Sequence, residues 1–183
     1  MVTYSGTLVE SRIIIWDIDD SRTIFSLGYY GKPLGVYKPK GIDFETPLIL
    51  DLIEGCYLAE SKLLSIKNVD GEKIPLKEMK QICRKQYVDF DMKYLVFKKL
   101  RDVGYVVSPG IKFGCDFAVY VHGPGIDHAP YLVQVVDNKE DITATGIVLA
   151  GRLATTVKKQ FILAITSTNL RKVYFLSFDW WRA

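Results

Sequence analysis

Both histidines of this 183-residue chain, His122 and His128, stand in one loop, "VHGPGIDHAP", just after Tyr120. A turn is built from Gly, Pro, Asn or Asp, so the loop's shape does not require imidazole. Histidine is the side chain whose unperturbed proton affinity lies near neutral pH, and its use here points to proton transfer. Tyr120 closes an apolar, strand-like run, "FAVY", and Pro130 leads into a second run, "YLVQVV". That hairpin-like path brings the strand end and the loop to one edge of a sheet, where Tyr120 and His128 could face each other across a phosphate. A plainer reading stands beside it. Tyr120 is one of 11 tyrosines, strand-end tyrosines usually pack, and loop histidines are more often solvated than catalytic.

A basic side chain completes the set. Residues 142–159, with the stretch "TATGIVLAGRLATTVKK" from Thr143 on, predict a helix. At about 100° per residue, Ile147, Ala150, Ala154 and Val157 share one face, while Arg152 and Lys159 share the opposite face within roughly 20°. A charged outer face is the default for a surface helix, and Lys158 and Lys159 also suit its C-terminus.

Other chemistries find no support. There is no phosphate-binding Walker loop, no Gly-rich dinucleotide turn and no Gly-x-Ser-x-Gly elbow. Cys56, Cys83 and Cys115 are odd in number and far apart in sequence. They predict neither a zinc spacing nor a disulfide framework, but buried free thiols in a reducing cytoplasm. A metal-dependent nuclease places an acid on one strand and Glu-x-Lys on the next. Asp116 could be that acid, but Gln134 and Val136 stand where Glu and Lys should be. Neither a metal nor a cofactor is expected.

These residues need elements to hold them. Apolar side chains make up 49% of the chain and charged ones 25%, the balance of a globular protein with an adequate core. "TLVE" and "RIIIW" predict strands joined by a turn, and "DDSRTIFSL" a short helix capped by Asp19 or Asp20 and stopped by Gly28. "ETPLILDLIEG" predicts a helix with Thr46 as N-cap and Pro47 in its first position. "NVDG" is a tight turn, and "PLKEMKQICRK" a helix opening on Pro75. The second half predicts a helix over 89–104, strands at "YVV", "CDFAVYV" and "YLVQVV", the helix above, then strands "FILAIT" and "VYFLSF". The order implies an α/β protein: a small mixed α/β domain over 1–84 and a mixed-sheet α/β domain over 85–183.

Charge is nearly balanced over residues 1–97, with 13 basic and 14 acidic side chains, but 98–183 carries 11 and 7. A mildly basic half suits a polyanion, and by itself is also an ordinary solvated surface. Apolar runs such as "IIIW" and "FILAI" are far too short to span a bilayer, and the N-terminus shows no secretory pattern. A cytoplasmic protein with no membrane partner is the expectation.

The run "GYVVSPGIKFGCDFAVYVHGPGIDHAPYLVQVV" followed by "GRLATTVKKQFILAI" resembles the catalytic subunit of the archaeal tRNA-splicing endonuclease, of the crenarchaeal type. The similarity is strongest over about residues 101–166, and "GYYGKPLG" at 28–35 resembles that family's N-terminal domain. The resemblance implies a C-terminal domain of restriction-endonuclease-like type. It assigns the catalytic tyrosine to Tyr120, the histidine to His128 and the lysine to Lys159. It gives no role to His122 and only a basic position to Lys158. Arg152 falls where the family stacks a guanidinium on a flipped-out base, which suits a planar cation.

The implied reaction is metal-free: the RNA 2′-hydroxyl attacks the adjacent phosphorus, leaving a 2′,3′-cyclic phosphate and a 5′-hydroxyl. Tyr120 would be general base, His128 general acid, and Lys159 would stabilise the phosphorane. A tyrosine of reference pKa roughly 10 needs a nearby cation to serve as a base, and Lys159 is the natural one. The implied substrate is precursor tRNA folded as a bulge–helix–bulge, recognised by shape. Two bulges need two sites, hence an oligomer, either a heterotetramer with a structural subunit or a homotetramer. Trp180 and Trp181 would form an isologous apolar interface, and the acidic turn with Asp137, Glu140 and Asp141 would insert into a basic pocket on another subunit. The competing readings are a non-catalytic assembly or RNA-binding subunit of the same complex, and an unrelated α/β RNA-binding or metal-nuclease domain.

Overall fold

The computed structural model describes residues 3–37, 39, 41–126, 128–167, 169 and 172–178, with Leu153 described in its backbone alone. The chain separates into two units, Met1–Phe90 and Asp91–Ala183. Each contains a five-stranded mixed sheet.

In the first unit the strands are β1 (Tyr4–Val9), β2 (Arg12–Ile15), β3 (Lys32–Pro33), β4 (Leu48–Asp51) and β5 (Leu64–Lys67). Their spatial order is β3-β4-β2-β1-β5, with β5 parallel to β1 and the other pairs antiparallel. Three helices accompany them: α1 (Ile18–Ser26), α2 (Leu52–Glu60) and α3 (Leu76–Gln86).

Two of the expected helix starts are corrected. Asp17, not Asp19 or Asp20, caps α1. Its extended backbone lets its carboxylate accept from the Asp20 N–H at 2.9 Å, while Asp19 and Asp20 already lie inside the helix. The helix expected from Thr46 begins only after Asp51, because Leu48–Asp51 is β4. Leu48 and Leu50 are fully buried at alternate positions, and the run pairs with β2 through Arg12↔Asp51 to Ile15↔Leu48. Burial of that alternating face against a waiting strand outweighs the start signal of Pro47. Asp51 and Glu54 then form a reciprocal capping box for α2.

The cysteines that sequence separation set apart also meet: Cys56 on α2 and Cys83 on α3 are both buried, with their sulfurs 3.3 Å apart. The Cys83 thiol is pushed far up by its hydrogen bond to Cys56 and by burial.

The second unit is built from α4 (Phe90–Asp102), β6 (Val106–Pro109), a 3-10 turn (Ile111–Phe113), β7 (Phe117–Tyr120), β8 (Tyr131–Asp137), α5 (Ala144–Thr156), β9 (Gln160–Thr166) and β10 (Val173–Ser177). The strand order is β10-β9-β8-β7-β6. Only β8 and β9 are parallel, and α5 supplies the crossover that parallel neighbours require. Alternation along the strands sends Ala118, Leu132, Val136, Phe161 and Leu163 to one face, where they cluster with Ala154 of α5. Phe117, of opposite parity, meets Phe97 of α4 with ring centroids 6.0 Å apart. Covering on both faces explains why β8 reads as an almost continuous apolar run. Asp116, the acid weighed above as a metal ligand, pairs with Lys93 at 2.9 Å and accepts from the Val135 N–H at 2.8 Å. Among the described residues, no helix is long and apolar enough to cross a membrane.

Candidate active site

The register of the second sheet decides which residues share its end. Val119 of β7 stands opposite Tyr131 of β8, which stands opposite Gln160 of β9. One position further out in each strand are Tyr120, Pro130 and Lys159. Two inter-strand steps separate the outer pair, about 10 Å between backbones. By alternation Tyr120 takes the face of Ala118, and Lys159 the face of Phe161, so both belong to the α5 side. Tyr120 is half-buried and packs on that side's core cluster.

Lys159 reaches its position by a route the helical periodicity did not foresee. α5 stops at Thr156, Lys158 takes a left-handed conformation (φ 55°), and the Lys159 N–H closes the helix end on the Ala154 carbonyl at 2.7 Å. Lys159 is therefore not on the helix, and the expected face shared with Arg152 does not exist. A left-handed residue just past a helix satisfies orphan carbonyls and turns the chain sharply, here straight into β9. The next residue, Gln160, donates its N–H to the Pro130 carbonyl at 2.8 Å, fixing this strand start to the histidine loop.

The ammonium of Lys159 is held at two points. Its Nζ donates to the Ala129 carbonyl, the residue directly after His128, and lies 5.3 Å from the centroid of the Phe113 ring. Ala129 is buried, while His128 beside it is exposed, so the loop is anchored at one residue and presents the next to solvent. His122 is exposed at the other end of the loop, directly after Val121. Phe113 and the Ala129 carbonyl were not singled out as site groups by the sequence reading. The only signal for Phe113 was its place inside the "GIKFGCDF" run.

Arg152 is exposed on α5, the helix that delivers Lys159. The acidic turn lies elsewhere. Asp137 ends β8, whose seven residues put it about 20 Å from the Tyr131 end. Its carboxylate accepts from the Lys139 N–H at 2.9 Å and its carbonyl from the Glu140 N–H at 3.0 Å, leaving Glu140 and Asp141 exposed. Trp180 and Trp181 lie outside the described residues. Among the described residues, no group of three or more His, Cys, Asp or Glu side chains is arranged to hold a metal ion.

Chemically, the sheet end offers a phenol, an imidazole and an ammonium within the span of three strand ends. Side chains of these types can exchange protons and pair with an anionic centre.

Residues 90–174 match the family described as tRNA intron endonuclease, catalytic C-terminal domain, and residues 4–80 match its N-terminal domain. The chain is 41% identical over 175 residues to a tRNA-splicing endonuclease of Hyperthermus butylicus, covering 96% of this chain and 97% of that protein. It is 43% identical over 176 residues to one of Sulfurisphaera tokodaii, with the same coverages. A Saccharolobus islandicus relative is 40% identical over 174 residues, 94% of this chain and 96% of its own length.

Proposed function

The chain belongs to the tRNA-splicing endonuclease family and is an enzyme of tRNA intron cleavage, and from that premise we propose that it cuts by metal-free transesterification at the β7–β8–β9 sheet end of its C-terminal domain, residues 85–183. The observation that carries the reading is the bond from Lys159 to the Ala129 carbonyl, which ties the ammonium to the residue after His128, in register with Tyr120.

RNA brings its own nucleophile, so the protein need only move protons and hold charge. Tyr120 takes the proton of the 2′-hydroxyl as it attacks phosphorus. Lys159 stabilises the added negative charge on the non-bridging oxygens. His128, exposed beside the buried Ala129, gives its proton to the 5′-oxygen. The products carry a 2′,3′-cyclic phosphate and a 5′-hydroxyl. Arg152 stacks on an unpaired base, and the substrate is a bulge–helix–bulge in precursor tRNA, whose splayed bases can be gripped where a closed A-form helix cannot.

Two cuts at fixed spacing require at least two sites, so the working enzyme is an oligomer, and the family resemblance favours a tetramer, either of this chain alone or with a structural subunit. The edge strand β10 supports an assembly role, because Tyr174 (59%), Phe175 (40%) and Leu176 (47%) are exposed on it. An unpaired apolar edge is a ready pairing surface. Trp180 and Trp181 extend that apolar sequence, and Asp137, Glu140 and Asp141 form the acidic contact. A purely structural subunit is disfavoured, since such a chain has no need of Tyr120, His128 and Lys159 together.

The test is cleavage of a bulge–helix–bulge RNA by the purified chain in excess EDTA, alone and with a candidate structural subunit, with product ends analysed. Cyclic-phosphate ends are expected. Activity that appears only on adding divalent metal would overturn the mechanism.

A further inference from the structure

Lysine carries its charge on four flexible methylenes, so a lysine that must meet a phosphoryl oxygen repeatedly needs something to hold its head. Among the described residues, two groups contact the Lys159 ammonium, the Ala129 carbonyl and the face of Phe113. The second comes from a distant part of the unit, the connection between β6 and β7.

That connection is built to hold one shape. Gly110 donates to the Asp116 carbonyl at 2.8 Å and accepts from the Phe113 N–H at 2.8 Å, and Gly114 ends the turn with φ 67°. A Cβ on Gly110 would meet the Cys115 sulfur at 2.6 Å and the Cys115 carbonyl and Phe117 nitrogen at 2.8 Å, so this turn admits no side chain there. The result is Phe113 half-buried on the α5 side of the sheet, packed with the cluster that contains Ala118, Leu132 and Phe161. Its body is core, and one ring face is turned to a cation.

We infer that Phe113 is a positioning residue of this site: its ring and the Ala129 carbonyl form a seat that fixes the Lys159 ammonium for a phosphoryl oxygen. An ammonium has three N–H donors. One goes to the carbonyl and one side is satisfied by the ring's negative face, which leaves a donor for the substrate. Among the described residues the seat holds the cation without a carboxylate, so none of them neutralises the charge before the phosphate arrives. A carboxylate in the place of Phe113 would fix the lysine equally well but cancel the field it is meant to supply. The inference rests on the role proposed for Lys159 and adds the group that aims it.

The experiment is single-turnover cleavage at saturating RNA by the assembled enzyme carrying a graded series at position 113: phenylalanine, 4-fluorophenylalanine and 3,4,5-trifluorophenylalanine. Fluorine withdraws the ring's face charge while keeping its shape, so packing is preserved and the cation contact is weakened. The expected result is a stepwise fall in the cleavage rate, about 3- to 30-fold over the series, with the RNA concentration for half-saturation unmoved. Phe113→Tyr retains the rate and Phe113→Leu falls with the trifluoro form. In a Lys159→Met background the series becomes flat, because the cation that reads the ring is gone. If Lys159→Met is slow and the series is flat in the parent enzyme as well, Phe113 is only packing and this inference fails alone. If Lys159→Met cleaves at the parent rate, the role of Lys159 fails and the inference with it. Thermal midpoints of the fluorinated forms, expected to match the parent, separate either result from misfolding.

Discussion

At the residue scale, the loop carries two imidazoles and the proposal uses one. His128 adjoins Ala129, whose carbonyl holds Lys159, whereas His122 follows Val121 near the end of β7. His128→Ala should slow cleavage by roughly 10²- to 10⁴-fold, the usual worth of a positioned acid, and His122→Ala should stay near the parent rate. Single-turnover kinetics of the two variants decide it, and equal losses would show that the wrong imidazole was chosen. Tyr120→Phe should bind RNA and fail to cut, as gel-shift and cleavage measurements on the same preparation would show. Arg152→Ala should weaken productive engagement of the bulge with the fold intact; unchanged cleavage kinetics would remove its stacking role.

At the element scale, the α2 start and the thiols give stability predictions. Asp51→Ala removes the side chain that accepts from the Ile53 N–H and breaks the capping box, which should cost about 1 kcal/mol in urea denaturation. Gly55→Ala should also destabilise, since a Cβ there meets the Ile13 Cδ1 at 2.0 Å and forces repacking costing about 1–3 kcal/mol. The Cys115 thiol is pushed up to about 11 from an ordinary 9.0 by burial and by the Asp116 charge, and the Cys83 thiol is raised in the same direction. The unfolded chain therefore loses these protons first. Stability should be insensitive to the thiols at neutral pH and fall as pH climbs from about 9 through 11. Urea melts across that range should show the fall, and Cys115→Ala should make it shallower. The sulfurs of Cys56 and Cys83 should resist alkylation at pH 8 until denaturant is added.

At the scale of the whole molecule, the acidic turn lies at the far end of β8 from Tyr131, and the exposed Tyr174, Phe175 and Leu176 of β10 stand opposite Ile165, Ala164 and Leu163, three to five positions in from Gln160. Assembly and catalysis should therefore be separable by mutation. Replacing Glu140 and Asp141 by Ser should lower the assembled mass seen by light scattering with chromatography, while the thermal midpoint of the chain changes little. Loss of mass together with loss of fold would show that the turn is structural, a role its bonds at Asp137 make concrete.

The sequence by itself determined the α/β alternation and most of the elements of the second unit, because apolar periodicity is local and strong there. It offered Tyr120 and the histidine loop as candidates that packing and solvation explain as readily, and the family resemblance gave them and Lys159 their roles. Position was another matter. β4 was mistaken for a helix because a local Pro signal carries no knowledge of the neighbouring strand that buries Leu48 and Leu50. Lys159 was put on a helix because periodicity does not announce where a helix ends; Lys158 turns left-handed there, and the strand that follows is tied to the loop before β8 by the bond from Gln160 to the Pro130 carbonyl. The Cys56–Cys83 contact and the seat made by Phe113 and Ala129 join residues 27, 46 and 30 positions apart. Such contacts exist only once a sheet has set its register, so the tertiary structure alone decides them.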